Sequence, residues 1–273
     1  MVLRKKGIGA FPRKYCAILA MVAMPLSGLA VANPPASAGN LVYIEQVGST
    51  NTVTIEQVGG ANSVGGTAGT IAVGGNGVTT LTPTAASSSN YGTITGNSNI
   101  IGITQTGDSN TAQYNIRGGN NTYMSNVFGN SNQTNLNIGN LSSANNTQNV
   151  VTETITGDSN TIIQQITGTQ INSVTTITGN SNQVTNSLLS SRGSVSNTIG
   201  GNFNITNSQQ IDGAGINGHQ LVMNTVGDYN SITTQQQGTN DTTVNILTTG
   251  SNNTITVRSS STAISNPVSA IPR

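Results

Sequence analysis

A beat of eleven residues runs through most of this 273-residue chain, and few folds can accommodate it. Gln46-Val-Gly48-Ser-Thr-Asn51-Thr-Val53-Thr-Ile-Glu-Gln57 is followed at once by Val58-Gly59-Gly-Ala-Asn62. Gln46 and Gln57, Gly48 and Gly59, and Asn51 and Asn62 therefore each stand eleven apart. The beat returns at Gly96, Gly107, Gly118 and Gly129, at Gly157, Gly168 and Gly179, and at Gly227 and Gly238. Many of these glycines open a short punctuation such as Gly96-Asn-Ser-Asn99, Gly107-Asp-Ser-Asn110 or Gly227-Asp-Tyr-Asn230. Self-similarity at a short fixed period marks a repeat architecture, in which each unit covers the apolar face of its neighbour.

One unit reads as a strand followed by a turn. In 51–59, Asn51, Val53, Ile55 and Gln57 share one face, and Thr52, Thr54, Glu56 and Val58 share the other. The strand is rich in Thr, Val and Ile and free of proline. Gly-x-x-Asn supplies residues that tolerate positive φ and bond to nearby backbone. The same frame holds for Asn99, Ile101, Ile103 and Gln105, then for Asn110, Ala112, Tyr114 and Ile116. It recurs at Asn160, Ile162, Gln164 and Ile166, and at Asn230, Ile232, Thr234 and Gln236. The expected fold is all-β: a repetitive β-solenoid or cross-β stack of strand–turn–strand coils, with about 11 residues per unit and two units per coil. Coils about 4.7–4.8 Å apart place like residues above like. Gln46, Asn51, Gln57, Asn62, Gln105 and Asn110 are then the ladder and assembly residues, and Gly48, Gly59, Gly107 and Gly118 set the turns.

Departures from the beat divide the chain. Residues 1–32 read as a leader: Arg4, Lys5, Lys6, Arg13 and Lys14 precede an apolar run over 16–24, and Ala30-Val-Ala32 offers a cleavage site, with Ala36-Ser-Ala38 as a second. Residues 33–62 hold the first repeats. Residues 63–95, rich in Gly, Ser and Thr and containing Pro83, read as an insertion or linker. The main solenoid spans 96–258, and 259–273, with Pro267 and Pro272, is an irregular tail. Export removes the only cysteine, Cys16, and five of the nine cations, leaving 4 − 8 = −4. A sparse negative charge excludes the clustered Lys and Arg of a nucleic-acid footprint. The mature chain has no disulfides to staple it, so stacking must hold it. The frame Asn149, Val151, Glu153, Ile155 sets a glutamate on the inner face. Either that frame is wrong or the coil is wide and wet there.

Gln46-x-Gly48-x-x-Asn51-x-Val53-x-x-x-Gln57 and Gln105-x-Gly107-x-x-Asn110-x-Ala112 resemble the curlin repeat, Gln-x-Gly-x-x-Asn-x-Ala with a further Gln four residues on. The first has Val53 for Ala, and the second has Ile116 where the last Gln belongs. Most other units keep Gly and Asn and lose one or both Gln. The resemblance implies a secreted bacterial amyloid subunit of surface fibres for adhesion and biofilm. It implies self-association, other curlin-type subunits and an outer-membrane export pore as partners. A minor or nucleating subunit, or a curlin-derived adhesin, is equally compatible with it.

Catalytic and metal chemistry is weakly represented. His219 stands alone between Gly218 and Gln220 and reads as an exposed turn residue. Asp108, Asp158 and Asp228 share the slot after a repeat glycine with asparagines. They read as turn formers, since the calcium-binding nonapeptide Gly-Gly-x-Gly-x-Asp is absent. Gly74-Gly-Asn-Gly77 lacks the Lys and Ser/Thr of a phosphate loop. No paired carboxylates and no nucleophile elbow are evident. The expectation is a protein that is not an enzyme and holds no cofactor, no metal and no stable membrane insertion. Two rivals remain. A capped monomeric solenoid could bind ice, a glycan or a surface, with Thr52 and Thr54, Thr93 and Thr95, Thr154 and Thr156, and Thr254 and Thr256 forming a flat threonine face. A β-helix enzyme would need carboxylates brought together by folding.

Overall fold

The computed structural model describes residues 39–66, 86, 91–139, 147–189, 191–211 and 218–260, with the backbone of the short strands Tyr15–Ile18, Val73–Gly74 and Gly77–Val78. The chain winds between two parallel sheets, laying a strand in one and then in the other. The first sheet runs Thr52–Val58, Ile100–Thr106, Thr122–Phe128, Val150–Thr156, Asn172–Thr178, Ser194–Gly200, Gln220–Val226 and Thr243–Thr249. The second begins with Leu41–Val42 and Ile44–Val47, then Ser63–Val64 and Gly92–Thr95. It continues through Thr111–Arg117, Gln133–Asn137, Thr161–Ile166, Gln183–Leu189, Ile205–Ile211, Ser231–Gln237 and Thr254–Ser260. The described residues contain no helix. The result is the β-solenoid that the period predicts, one half-coil per strand and turn. Tyr15–Ile18 lies antiparallel along Thr52–Val58. The rest of residues 1–38 and the tail beyond 260 fall outside the described residues.

Register is kept even where the beat slips. Equivalent asparagines of a bare coil are 22 residues apart, as from Asn99 to Asn121. From Asn51 to Asn99 the interval is 48, from Asn121 to Asn149 it is 28, from Asn204 to Asn230 it is 26, and from Asn230 to Asn253 it is 23. Subtracting 22 leaves 26, 6, 4 and 1 extra residues, which bring no shift of pairing. The longest excursion splits a strand. Ser63–Val64 pairs with the start of Thr111–Arg117, and Gly92–Thr95 rejoins at its end, Asn115 opposite Thr93 and Arg117 opposite Thr95. The solenoid thus includes both margins of the 63–95 segment, and the excursion proper is shorter than the sequence suggests.

The second, fourth and sixth residues of each full-length strand point inward. On one flank Val127, Ile155, Ile177 and Ile199 pack with Ile162 and Val184. On the other, Ile101, Val151, Val195 and Leu221 pack with Ile94, Ile116, Ile138, Ile166 and Leu188. Each fully buried aliphatic side chain contributes roughly 1.5–3 kcal/mol. Size is matched between coils: a Cβ at Gly92 would stand 2.8 Å from the Tyr114 ring, so the glycine makes room for that buried aromatic. The outer side of the first sheet meets solvent. In the second sheet outward-pointing residues such as Asn135, Ser187 and Asn207 are buried as well.

The turns explain the glycines. Gly107 has φ of +117°, and a Cβ there would strike the carbonyl oxygen of Gly129 in the next coil. The third turn residue, Ser98, Ser109, Ser131, Ser159 or Ser181, has φ between 56° and 60°, the left-handed region. Within Gly129-Asn130-Ser131-Asn132, Gly129→Ala and Asn132→Ala should each lower stability to urea by about 2–4 kcal/mol. Ser131→Gly, at a φ that glycine adopts freely, should stay within about 0.5 kcal/mol. Equal losses at all three positions would overturn this account of the turn.

Candidate assembly surface

Two asparagine ladders run up the corners of the solenoid. At the head of the second sheet, Asn40, Asn62, Asn110, Asn132, Asn160, Asn182, Asn204, Asn230 and Asn253 form an unbroken column. Asn132 is representative. Its backbone N–H and its Nδ2 donate to Asn110 Oδ1 at 3.0 and 3.1 Å. Nδ2 also donates to the Gly157 carbonyl at 2.8 Å, and Oδ1 accepts from the N–H and Nδ2 of Asn160. Both side-chain donors and both lone pairs of the amide are used. Aspartate would lack the donors, and glutamine would be one carbon too long.

The first sheet has a shorter column. Asn51, Asn99, Asn121 and Asn149 are linked in the same way, and the column ends at Ile171, whose N–H still donates to Asn149 Oδ1. The slot then passes to Gly193, His219 and Thr242, whose carbonyls accept the backbone N–H groups of Asn172, Ser194 and Gln220. His219 is therefore fully buried and not on an exposed turn. Its Nε2 is 3.0 Å from the Ile211 carbonyl, and its Nδ1 is 2.8 Å from the Thr242 hydroxyl.

The glutamines behave less uniformly. Gln57 donates to Gln105 Oε1 at 2.9 Å, but the residue opposite Gln105 in the next coil is Val127. That ladder is two residues deep. Gln46 sits opposite Ile94 and is half-buried, so it has no glutamine above it. A second glutamine pair, Gln210 to Gln236 at 2.9 Å, lies on an inner row of the second sheet. Gln236 fits the sequence frame, whereas Gln210 is hidden by the drifting spacing before it. Of the turn glycines, Gly48, Gly59, Gly107 and Gly118 all have φ between 113° and 129°.

A third column stands on the exposed side of the turns. Backbone N–H groups of Gly60, Asp108, Asn130, Asp158, Asn180 and Asn202 donate in turn to Asp108, Asn130, Asp158, Asn180, Asn202 and Asp228. No aspartate stacks directly on another, so the carboxylates accept backbone bonds while amide neighbours keep them apart. Among the described residues no three His, Cys, Asp or Glu side chains gather as a metal site. The threonine pairs do not make one face. Thr52, Thr54, Thr154 and Thr156 belong to the first sheet, whereas Thr93, Thr95, Thr254 and Thr256 belong to the second.

The middle of the solenoid is polar. Its central inner row is apolar near the ends, with Ile55, Ile103, Met223 and Ile246, but carries Ser125, Glu153, Thr175 and Asn197 between them. Opposite these stand Gln164, Asn186 and Ser208. Glu153 accepts from Tyr123 Oη at 2.9 Å and from Gln164 Nε2 at 2.8 Å. Ser173 Oγ donates to Gln164 Oε1 at 2.6 Å, and Asn197 Nδ2 donates to Asn186 Oδ1 at 2.9 Å. The inner frame for Glu153 is therefore correct. Burial pushes its carboxyl up to about 7, while the bonds from Gln164 and Tyr123 pull the other way.

At both ends the inner rows are unfinished. Val42 and Ile44 in the first half-coil, and Ile255 and Val257 in the last, are only partly buried, whereas their counterparts between are core. The ends thus offer apolar steps beside strand edges.

A carboxyl raised from 4.5 to about 7 binds its proton more tightly in the folded chain. Its stabilising effect is complete below pH 4.5 and is lost as pH rises to about 7, an effect of roughly 3 kcal/mol. Thermal midpoints should fall over that window, and Glu153→Gln should flatten this part of the profile. An unaltered slope in that variant would assign the dependence elsewhere. No protein-family model matches the chain, and no curated protein and no solved structure shows significant similarity to it.

Proposed function

We propose that the protein is an exported structural subunit, similar to curlin, that builds extracellular fibres for adhesion and biofilm and has no enzymatic role. The observation that carries this reading is the unfinished packing of the end coils. A fresh coil laid on the last one would cover Ile255 and Val257 and would pair the open strand edges there. Cleavage of the leader would remove Tyr15–Ile18 and free the edge of Thr52–Val58. The outer side of the first sheet displays Ile100, Phe128, Val150, Val222, Val226 and Leu247, which suits lateral packing of one stack on another. Other curlin-type subunits and an outer-membrane export pore are the partners that the resemblance supplies.

One observation favours a second reading, a monomeric surface-binding module. Phe203 and Tyr229 occupy the left-handed turn position where five other turns carry serine. Their rings stack at 4.9 Å and 7°, and both are about half exposed, at 48% and 56%. Bulky side chains are disfavoured at that φ, so a displayed aromatic pair suits a binding platform.

Incubation of the chain from residue 33 onward separates the two. Fibres with reflections near 4.7 and 10 Å that seed fresh monomer support the subunit reading. Asn51→Ala with Gln57→Ala should then slow growth, and unchanged thioflavin kinetics would count against the first coil as a growth surface. A persistently soluble monomer whose saturable surface binding is lost in Phe203→Ser with Tyr229→Ser would favour the module.

A further inference from the structure

Beyond the leader, the described path contains seventeen half-coils, eight in the first sheet and nine in the second. The first half-coil, Leu41–Val42 with Ile44–Val47, and the last, Thr254–Ser260, both belong to the second sheet. A junction that continues both sheets needs whole coils, hence an even number of half-coils. Suppose 41–47 of one copy is laid on Thr254–Ser260 of another. The second sheet continues, but Thr243–Thr249 and Thr52–Val58 are then two strand spacings apart, about 9–10 Å, with one strand's place vacant. If instead Thr52–Val58 is laid directly on Thr243–Thr249, 41–47 falls in the space that Thr254–Ser260 already fills.

We infer that the half-coil over 40–47 is a built-in stop on head-to-tail growth, which must leave the stack before a second copy of this chain can dock. The inference rests on the fibre reading above and specifies which surface that fibre uses. The half-coil is less regular than the seven-residue strands of the interior. It is interrupted at Tyr43, its inward Val42 and Ile44 are only partly buried, and Val47 is 56% exposed. Its strand is held by Leu41 N–H to the Asn62 carbonyl and Tyr43 N–H to the Val64 carbonyl, both 2.8 Å.

Once it is displaced, sixteen half-coils remain and the two ends meet in register. Counting from the paired strands, Val53 of the incoming copy falls on Val244, Ile55 on Ile246 and Val64 on Ile255. Asn62 falls on Asn253, the last member of the long ladder, whose Oδ1 is placed to accept the Asn62 N–H as at every step below. In these three rows apolar meets apolar, Gln57 falls on Thr248 and Ile94 on Ser259, and the ladder crosses the junction.

The test compares fibre growth of the chain starting at residue 33 with that of a chain starting at Gly48, and with Tyr43→Pro in the longer chain. Tyr43→Pro removes the N–H that bonds to Val64 without deleting the segment. Circular dichroism and gel filtration check that each variant keeps its β structure as a monomer. The expected result is a lag shortened several-fold in both variants. In fibres of the longer chain, amides of 41–47 should exchange freely while those of Thr52–Val58 are protected. Fibres that form equally fast from all three chains, or protection of 41–47 in the fibre, would overturn the stop and leave the fibre reading standing. A chain ending at Ser260 that alone loses its lag would place the stop at the other end and likewise overturn the inference. Failure of every chain to polymerise, even when seeded, would overturn the fibre reading and the stop together.

Discussion

The structure depends on one arrangement: a buried asparagine amide bonded to the coil below and the coil above through all of its donors and acceptors. Asn132 illustrates it, with bonds to Asn110, Gly157 and Asn160. The arrangement fixes the coil spacing, because the amide must reach one carbonyl upward and one oxygen downward. It also explains the glycine three residues earlier. The turn carbonyl that accepts from Nδ2 approaches so closely that a Cβ on the neighbouring glycine would clash with it, as at Gly107 against Gly129. Asparagine and glycine are thus a single device. A polar group buried without a partner costs about 1–3 kcal/mol, so a slip of one residue would orphan several groups at once. The ladders therefore hold register as well as stability.

A solenoid interior this narrow has little apolar volume, and here its centre is given to polar side chains. Gln164, Ser173, Asn186 and Asn197 bond to one another across and along the stack, which makes the network directional in a way that a leucine row is not. Glu153 is the member that can change state. Its carboxylate lies among Tyr123, Gln164, Ser125 and Thr175, and of these only Tyr123 is itself titratable. Among the described residues no cation stands beside it, and burial favours the neutral acid. Placed midway along the solenoid, that choice bears on cohesion between coils and leaves the ends untouched.

Much of this was legible in the sequence because the beat carries geometry. Gly107 and Asn110 announce a turn and a ladder position from spacing alone, and the inward frame of Ile101, Ile103 and Ile116 follows from alternation. Legibility failed where a slot's environment is set by its place in the column and not by its residue type. His219 reads as a turn residue beside Gly218, yet it occupies the corner slot that asparagine holds in earlier coils. Gln46 and Gln57 look equivalent at eleven residues apart, but a half-coil carries them to opposite sheets, where one meets isoleucine and the other glutamine. The threonine pairs fail for the same reason: a motif recurring at odd multiples of a half-coil alternates between faces.

The excursions follow from the same nearest-neighbour logic. Closing a loop costs entropy that grows only with the logarithm of its length, so the 26-residue excursion costs about 1 kcal/mol more than the 6-residue one. That difference is within what one coil's ladder bonds can offset, provided the chain re-enters in register, as Gly92–Thr95 does. An excursion thus leaves the stack unchanged, since every coil answers only to the coils above and below it. A surplus half-coil at an end is a different matter. It has a neighbour on one side only, it contributes less than an interior coil, and it decides what the exposed step looks like. In such a stack the interior can absorb irregularity, and the ends, where a single strand more or less changes the fit to a second copy, determine how the molecule assembles.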